Sequence, residues 1–291
     1  ISILHSQDHQ LLIFFFHISS LKVFLLKFYK TNIYNFIMNT VSFNSLGKQG
    51  RLGNQMFQFT ALLAISKENN FNFLLPDPSK VNFKDYKLFD LFELNEVNDN
   101  NFGISNFNTI KTDDINDLSY SVNFFRLKNN INLEGYFQSI KFVQKIQEEI
   151  KNNFLIREPI INKLNEIIKN QQIKLNEYVF IHIRKGDYLE KKEYHFNLGM
   201  SYYKNAMNQF EMDQKFLIFS DDIELVKKEF PITKNVNFFS DFYDKKQDEE
   251  YDLIDFAAMT YCGGGIISNS SFSWWAAYLQ YSKGNICYPD S

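Results

Sequence analysis

Residues 178–188 read Tyr178-Val179-Phe180-Ile181-His182-Ile183-Arg184-Lys185-Gly186-Asp187-Tyr188, and this stretch decides the fold class. Up to His182 it is apolar on both faces, the pattern of a strand in a parallel sheet covered by helices on each side. Polar chemistry then begins inside the strand, where His182 and Arg184 share one face of the pleat. In open α/β sheets, ligands bind beyond the carboxyl ends of the strands, so the run reads as a strand feeding a ligand loop. A guanidinium held there is preformed to grip a phosphate with two parallel hydrogen bonds. Lys185 reads as a second cation, and Asp187 as the carboxylate orienting one of them.

Working downstream, helices are expected over 202–210, 224–230, 251–260 and 272–281, alternating with strands over 215–220, 235–239 and 265–268. This β-α-β-α order fits a doubly wound nucleotide-type domain. No GxGxxG is present, which argues against a dinucleotide dehydrogenase. Two strand ends carry chemistry. Phe219-Ser220-Asp221-Asp222 reads either as acids at the site or as an ordinary helix cap. Residues 268–275, Ser268-Asn269-Ser270-Ser271-Phe272-Ser273-Trp274-Trp275, place hydroxyls at a helix start, where backbone N–H groups and the helix dipole favour an anion; capping is the alternative. Trp274 and Trp275 read as core.

Working upstream, the chain gives a strand over 41–46, a helix over 55–67, strands over 71–75 and 131–137, and a helix over 139–152. Between the first strand and helix lies Gly50-Arg51-Leu52-Gly53-Asn54-Gln55, where glycines permit close backbone approach and Arg51, Asn54 and Gln55 supply polar reach. Residues 95–130 are Asn-rich and read as loops with short elements. The polar-faced helix over 162–174 is the expected boundary between two domains, 38–172 and 173–291.

The composition limits the function classes. With 31 Lys+Arg against 34 Asp+Glu, the net charge is −3, so non-specific nucleic-acid binding, which needs a basic footprint, is excluded as a main activity. Two cysteines, Cys262 and Cys287, make neither a disulfide scaffold nor a Cys-rich zinc site, and point to a reducing compartment. No His/Asp/Glu set has metal-ligand spacing, and no cofactor or metal is expected. The 32 Phe and 16 Tyr accompany abundant Asn, Lys and Ile, as AT-rich coding produces, and are not read as function. Residues 1–37 read as upstream of a natural start at Met38, with a weak membrane anchor or a packed helix as alternatives. The first reading makes the protein cytoplasmic, with peripheral membrane association; the second makes it membrane-anchored. A turn and strand over 284–289 with nothing following reads as a chain cut short.

Taken together, GRLGNQMFQ at 50–58, EGYFQS at 134–139, HIRKGDY at 182–188, FSDD at 219–222 and SNSSFSWW at 268–275 resemble the α-1,2-fucosyltransferases of glycosyltransferase family eleven. The resemblance implies a GT-B-like α/β fold, in which two Rossmann-type domains face a cleft: an acceptor-side N-terminal domain and a GDP-fucose-binding C-terminal one. It also implies inverting, metal-independent transfer of L-fucose to the 2-hydroxyl of a galactose-terminated glycan. Carried onto this chain, Arg184 matches the arginine that holds the donor diphosphate, with His182 and Asp187 flanking it as catalytic residues. The donor set is Arg184, Lys185, Asp222, Asn269, Ser270, Ser271 and Phe272. The cleft set is Arg51, Asn54, Gln55, Tyr136 and Gln138. The family commonly has a second arginine where this chain has Lys185, which keeps the charge and loses the planar fork. Rival readings are a fucosyltransferase of another linkage, α-1,6 or protein O-linked, and a non-catalytic sugar- or nucleotide-binding protein.

Overall fold

A computed structural model describes residues 39–111, 120–185, 198–230, 235–244 and 250–289. The first half runs β1 (Thr40–Ser42), α1 (Leu52–Asn69), β2 (Asn72–Leu74), α2 (Leu88–Leu91), β3 (Phe92–Glu93), β4 (Thr109–Lys111) and β5 (Ile131–Glu134). It continues through α3 (Ile140–Lys145), α4 (Gln147–Asn153), β6 (Leu155–Ile156) and α5 (Glu158–Gln171). The second half runs β7 (Tyr178–Ile183), α6 (Met200–Met207), β8 (Lys215–Ser220), α7 (Ile223–Glu229) and β9 (Val236–Phe238). It closes with α8 (Tyr251–Tyr261), β10 (Gly264–Ile266), α9 (Ser271–Tyr278) and β11 (Ile286–Cys287).

Two parallel sheets organise these elements, in the orders β2-β1-β5-β4 and β11-β10-β7-β8-β9, and β3 pairs antiparallel with β6. This is a mixed α/β, GT-B-like arrangement with two sheet-containing lobes. The second order reverses direction once. From β7 the chain moves outward through β8 and β9, then returns to place β10 on the other side of β7. In the first sheet, β1 is flanked by β2 and β5. At such a reversal the connections diverge to opposite faces and open a crevice at the strand ends.

The elements follow from local sequence. Helix α1 is buried almost all round, as a helix with apolar residues on every side must be, and it stops at Asn70, whose left-handed backbone (φ 55°) accommodates the C-cap. Helix α5 starts with proline in its first turn and buries Ile160, Leu164 and Ile167 on one face. That face packs against α8 of the second sheet, so this helix, expected at the domain boundary, serves the second lobe. The helix expected over 139–152 is divided at Ile146, whose backbone leaves the helical region. The Asn-rich segment contributes an edge strand, β4, whose side chains are exposed.

One hydrophobic core runs through both lobes, joining Val41 and Leu133 of the first sheet to Phe180, Leu217 and Trp275 of the second lobe. A second cluster, with Ile181, Ile218 and Tyr203, lies on the other face of the second sheet. The lobes meet where α1 crosses α9. Trp275 is fully buried there, 5.0 Å from Phe57 of α1 and 5.2 Å from Phe154. Gly53 makes the crossing possible: a Cβ on it would lie 2.5 Å from the Phe272 nitrogen and 2.6 Å from the Ser271 carbonyl carbon.

Trp275→Ala is expected to destabilise the fold by about 3–5 kcal/mol, measured as a lowered urea midpoint. Trp275→Phe should recover most of that loss, because the indole N–H is buried without an acceptor among the described residues. Gly53→Ala should cost about 1–3 kcal/mol by overpacking rigid backbone. Unchanged thermal unfolding of that variant would show that the two helix starts are not in close contact.

Candidate active site at the lobe interface

The carboxyl ends of β7 and β10 are neighbours, and they carry the residues singled out from sequence. His182 is 4% exposed; its Nδ1 lies 2.9 Å from Ser268 Oγ and its ring 5.5 Å from Phe272. It therefore ties the two strand ends and α9 together underneath the crevice. Arg184, beyond the end of β7, pairs through Nη1 with Asp221 Oδ2 at 3.1 Å. Asp221 Oδ1 in turn accepts the Lys185 backbone N–H at 2.9 Å, so the carboxylate is held from two sides and aims the guanidinium. The contact follows from register: Ile183 pairs with Ser220, which sets Arg184 beside Asp221. Asp221 is one of the two acids that FSDD offered for the site, and only the strand pairing reveals that its partner is Arg184.

Three expected residues sit elsewhere. Lys185 alternates to the opposite face of the strand, where its side chain is 8% exposed and its ammonium lies 2.9 Å from Glu229; it does not join Arg184 as a second cation. Asp222 accepts the Leu225 N–H at 3.1 Å and caps α7, the alternative reading of FSDD. Gln55 is fully buried and turned away from the crevice: it donates to the Asp85 and Gly50 carbonyls and accepts the Leu88 N–H at 3.2 Å. That amide braces the loop before α2. Asp187 lies outside the described residues.

Residues 268–272 face the first lobe. Asn54, in the first turn of α1, accepts from Ser271 Oγ at 2.8 Å and from Gln138 Nε2 at 2.5 Å through a single oxygen, Oδ1. One side chain of the first lobe thus joins the start of α9 to the loop after β5. That loop is shaped by left-handed backbone: Gly135 has φ 137° and Phe137 φ 52°. Phe137 turns fully into the core, which presents Gln138 to Asn54. Gln58 Nε2 donates to the Gly135 carbonyl at 3.0 Å and holds the loop from below. Tyr136 is half-buried on this loop, and Arg51 stands exposed at the N-cap of α1.

The electrostatics suit an anion. The first turns of α1 and α9 converge, each bringing the positive end of a helix dipole, and Arg184 carries a full charge beyond the end of β7. Ser270, at the N-cap of α9, makes no side-chain cap; Ser270 is buried and Asn269 exposed. Tyr202 donates its hydroxyl to the Ile267 carbonyl at 2.7 Å, and burial pushes this phenol well above its ordinary range. Among the described residues, no group of His, Cys, Asp and Glu is placed to hold a metal ion, and no helix is long and apolar enough to cross a membrane.

Known proteins share this framework. The O-antigen biosynthesis glycosyltransferase WbnK of Escherichia coli is 31% identical over 170 residues, covering 55% of this chain and 54% of that protein. The chain thus spans about half of that relative's length. An alpha-1,2-colitosyltransferase of Escherichia coli is 27% identical over 262 residues, 79% of this chain and 85% of that protein. Galactoside alpha-(1,2)-fucosyltransferase 1 of Alouatta caraya is 24% identical over 260 residues, covering 83% and 68%. Among solved structures, a variant of Arabidopsis thaliana FUT1 in complex with GDP has TM-score 0.50 at 9% identity, covering 90% of this chain and 75% of that one; this likeness is one of fold. Residues 7–288 match the sequence pattern of glycosyl transferase family 11, and the chain belongs to that family.

Proposed function

We propose that the protein is a fucosyltransferase that uses GDP-fucose, and that it attaches L-fucose to the 2-hydroxyl of a galactose-terminated glycan. The observation that carries this reading is that Arg184, aimed by Asp221, stands beyond the end of β7, and that β10, the neighbour of β7, leads into the start of α9. A diphosphate is the natural occupant of that arrangement, with Ser270 and Ser271 at its helix side. The family membership supports sugar transfer, and the similarity to two transferases named for α-1,2 linkage supports the choice of hydroxyl.

The chemistry is a single displacement. The acceptor oxygen forms its bond to the anomeric carbon as the bond to the β-phosphate oxygen breaks. The electron pair leaves with GDP, and the hydroxyl proton passes to a base or to water. Negative charge grows on the β-phosphate during this step, so Arg184 and the α9 N–H groups bind the transition state more strongly than the ground state. His182 and Phe272 position the strand ends and α9. Lys185, held by Glu229, plays no part in this charge. Asn54 and Gln138 face the sugar from the first lobe.

A second reading concerns the donor. The colitosyltransferase similarity spans most of both chains, and colitose is fucose without its 3-hydroxyl, so GDP-colitose is a competing donor for the same diphosphate site.

Arg184→Ala should lower transfer by about 100-fold or more while the protein stays folded, and Arg184→Lys should recover only part, since an ammonium lacks the fork. Retained turnover in Arg184→Ala would overturn the donor assignment. Incubation with GDP-fucose or GDP-colitose and a panel of galactosides, followed by linkage analysis, tests the rest. Fucose on a 2-hydroxyl is the expected product. Fucose on another hydroxyl, such as the 6-hydroxyl, would move the protein to another linkage class, and GDP binding without transfer would make it a binding protein.

A further inference from the structure

The ladder between β10 and β11 runs out of donors at its carboxyl end. In a parallel pair, a residue donates to the residue before its partner and accepts from the residue after it. Gly265, in register with Ile286, accordingly donates to the Asn285 carbonyl at 3.0 Å. Two residues on, Ile267 donates to the Cys287 carbonyl at 2.9 Å, so its own carbonyl is due a hydrogen bond from residue 289. That residue is Pro289, which has no N–H. Ile267 is buried, and an unpaired carbonyl in such a place is costly. Tyr202, in the first turn of α6, fills the gap. Its hydroxyl lies 2.7 Å from the Ile267 carbonyl oxygen and 3.4 Å from that of Cys287.

We propose that Tyr202 is a positioning residue for the donor site: its hydroxyl replaces the ladder donor that Pro289 lacks, and so fixes the backbone where β10 gives way to the turn into α9. The inference rests on the donor reading above, which it deepens. Ile267 directly precedes residues 268–271, the run that supplies the helix side of the diphosphate site. This turn is held from both faces of the second sheet. His182 shares the face of Phe180 and lies 2.9 Å from Ser268 Oγ. Tyr202 packs against the cluster of Ile181 and Ile183 on the other face. The two ties differ in kind. His182 holds a side chain, whereas Tyr202 holds the main chain, and main-chain N–H groups are what a helix start offers to phosphate. A freed Ile267 carbonyl would let the following peptide planes rotate, and the first N–H groups of α9 would turn with them. Such donors stabilise developing charge only when they are fixed in advance at the place where it appears.

The test pairs two substitutions. Tyr202→Phe keeps the ring and removes only the donor. GDP binding, read by calorimetry, should weaken about fivefold, and the KM for GDP-fucose should rise with it while the acceptor KM stays at the wild-type value. Amide hydrogen exchange over residues 269–272 should quicken with no matching change in β7 or β8, a pattern that global destabilisation would not give. Adding Pro289→Ala to Tyr202→Phe restores an N–H opposite Ile267 and should recover most of both losses, which a role in packing alone would not allow. GDP affinity and local exchange equal to wild type in Tyr202→Phe would overturn the proposal. A loss that Pro289→Ala leaves untouched would overturn it too, because the Ile267 carbonyl would then not be the partner that matters. A wild-type protein that binds no GDP would overturn the donor reading instead, and the exchange comparison would still decide whether Tyr202 holds the turn.

Discussion

The meeting of the first turns of α1 and α9 is the contact on which the rest of the molecule depends. Gly53 lets backbone approach backbone where any side chain would collide with Ser271 and Phe272. Asn54 uses the proximity to accept hydrogen bonds from Ser271 and Gln138 on one oxygen. Two helix starts pointed at one region bring together partial positive charges that repel in a low-dielectric setting. Asn54 Oδ1 partly answers that field, and an anion would answer it more fully. The geometry that joins the lobes thus also gathers positive potential at the start of both helices.

Buried polar ties hold this arrangement in register. His182 with Ser268 links neighbouring strand ends, Tyr202 pins the backbone after β10, and Gln58 secures the loop that carries Gln138. Each satisfies groups whose burial would otherwise be costly. Beneath them, Trp275, Phe57 and Phe154 form an aromatic contact across the lobes, which explains why the core is shared rather than divided in two. Transfer of charged groups gains from such rigidity, because donors fixed in advance need no reorganisation as charge develops.

Much of this was legible in the residues alone. Alternating apolar runs and amphipathic segments locate the strands and helices of the second half closely, with β8 matching its expected bounds of 215–220. The polar break inside β7 marks Arg184, and the hydroxyl run before α9 marks Ser270 and Ser271. Errors fall where one-dimensional spacing is silent. Lys185 follows Arg184 in sequence, yet the pleat sends it to Glu229 on the other face. Asp222 resembles a site acid, but its place one residue before α7 makes it a cap. Gln55 adjoins Asn54, and one step around the helix turns it toward the loop before α2 instead.

By itself the sequence determined that the chain is layered α/β, which strands end in polar residues, and the family to which its motifs point, because periodicity and local residue chemistry are properties of short segments. Only the tertiary structure decided that β10 returns to lie beside β7, that Asp221 is the partner of Arg184, and that Trp275 reaches across to Phe57 of the other lobe. These depend on strand order, register and helix rotation, which arise when distant segments compete for the same buried surface.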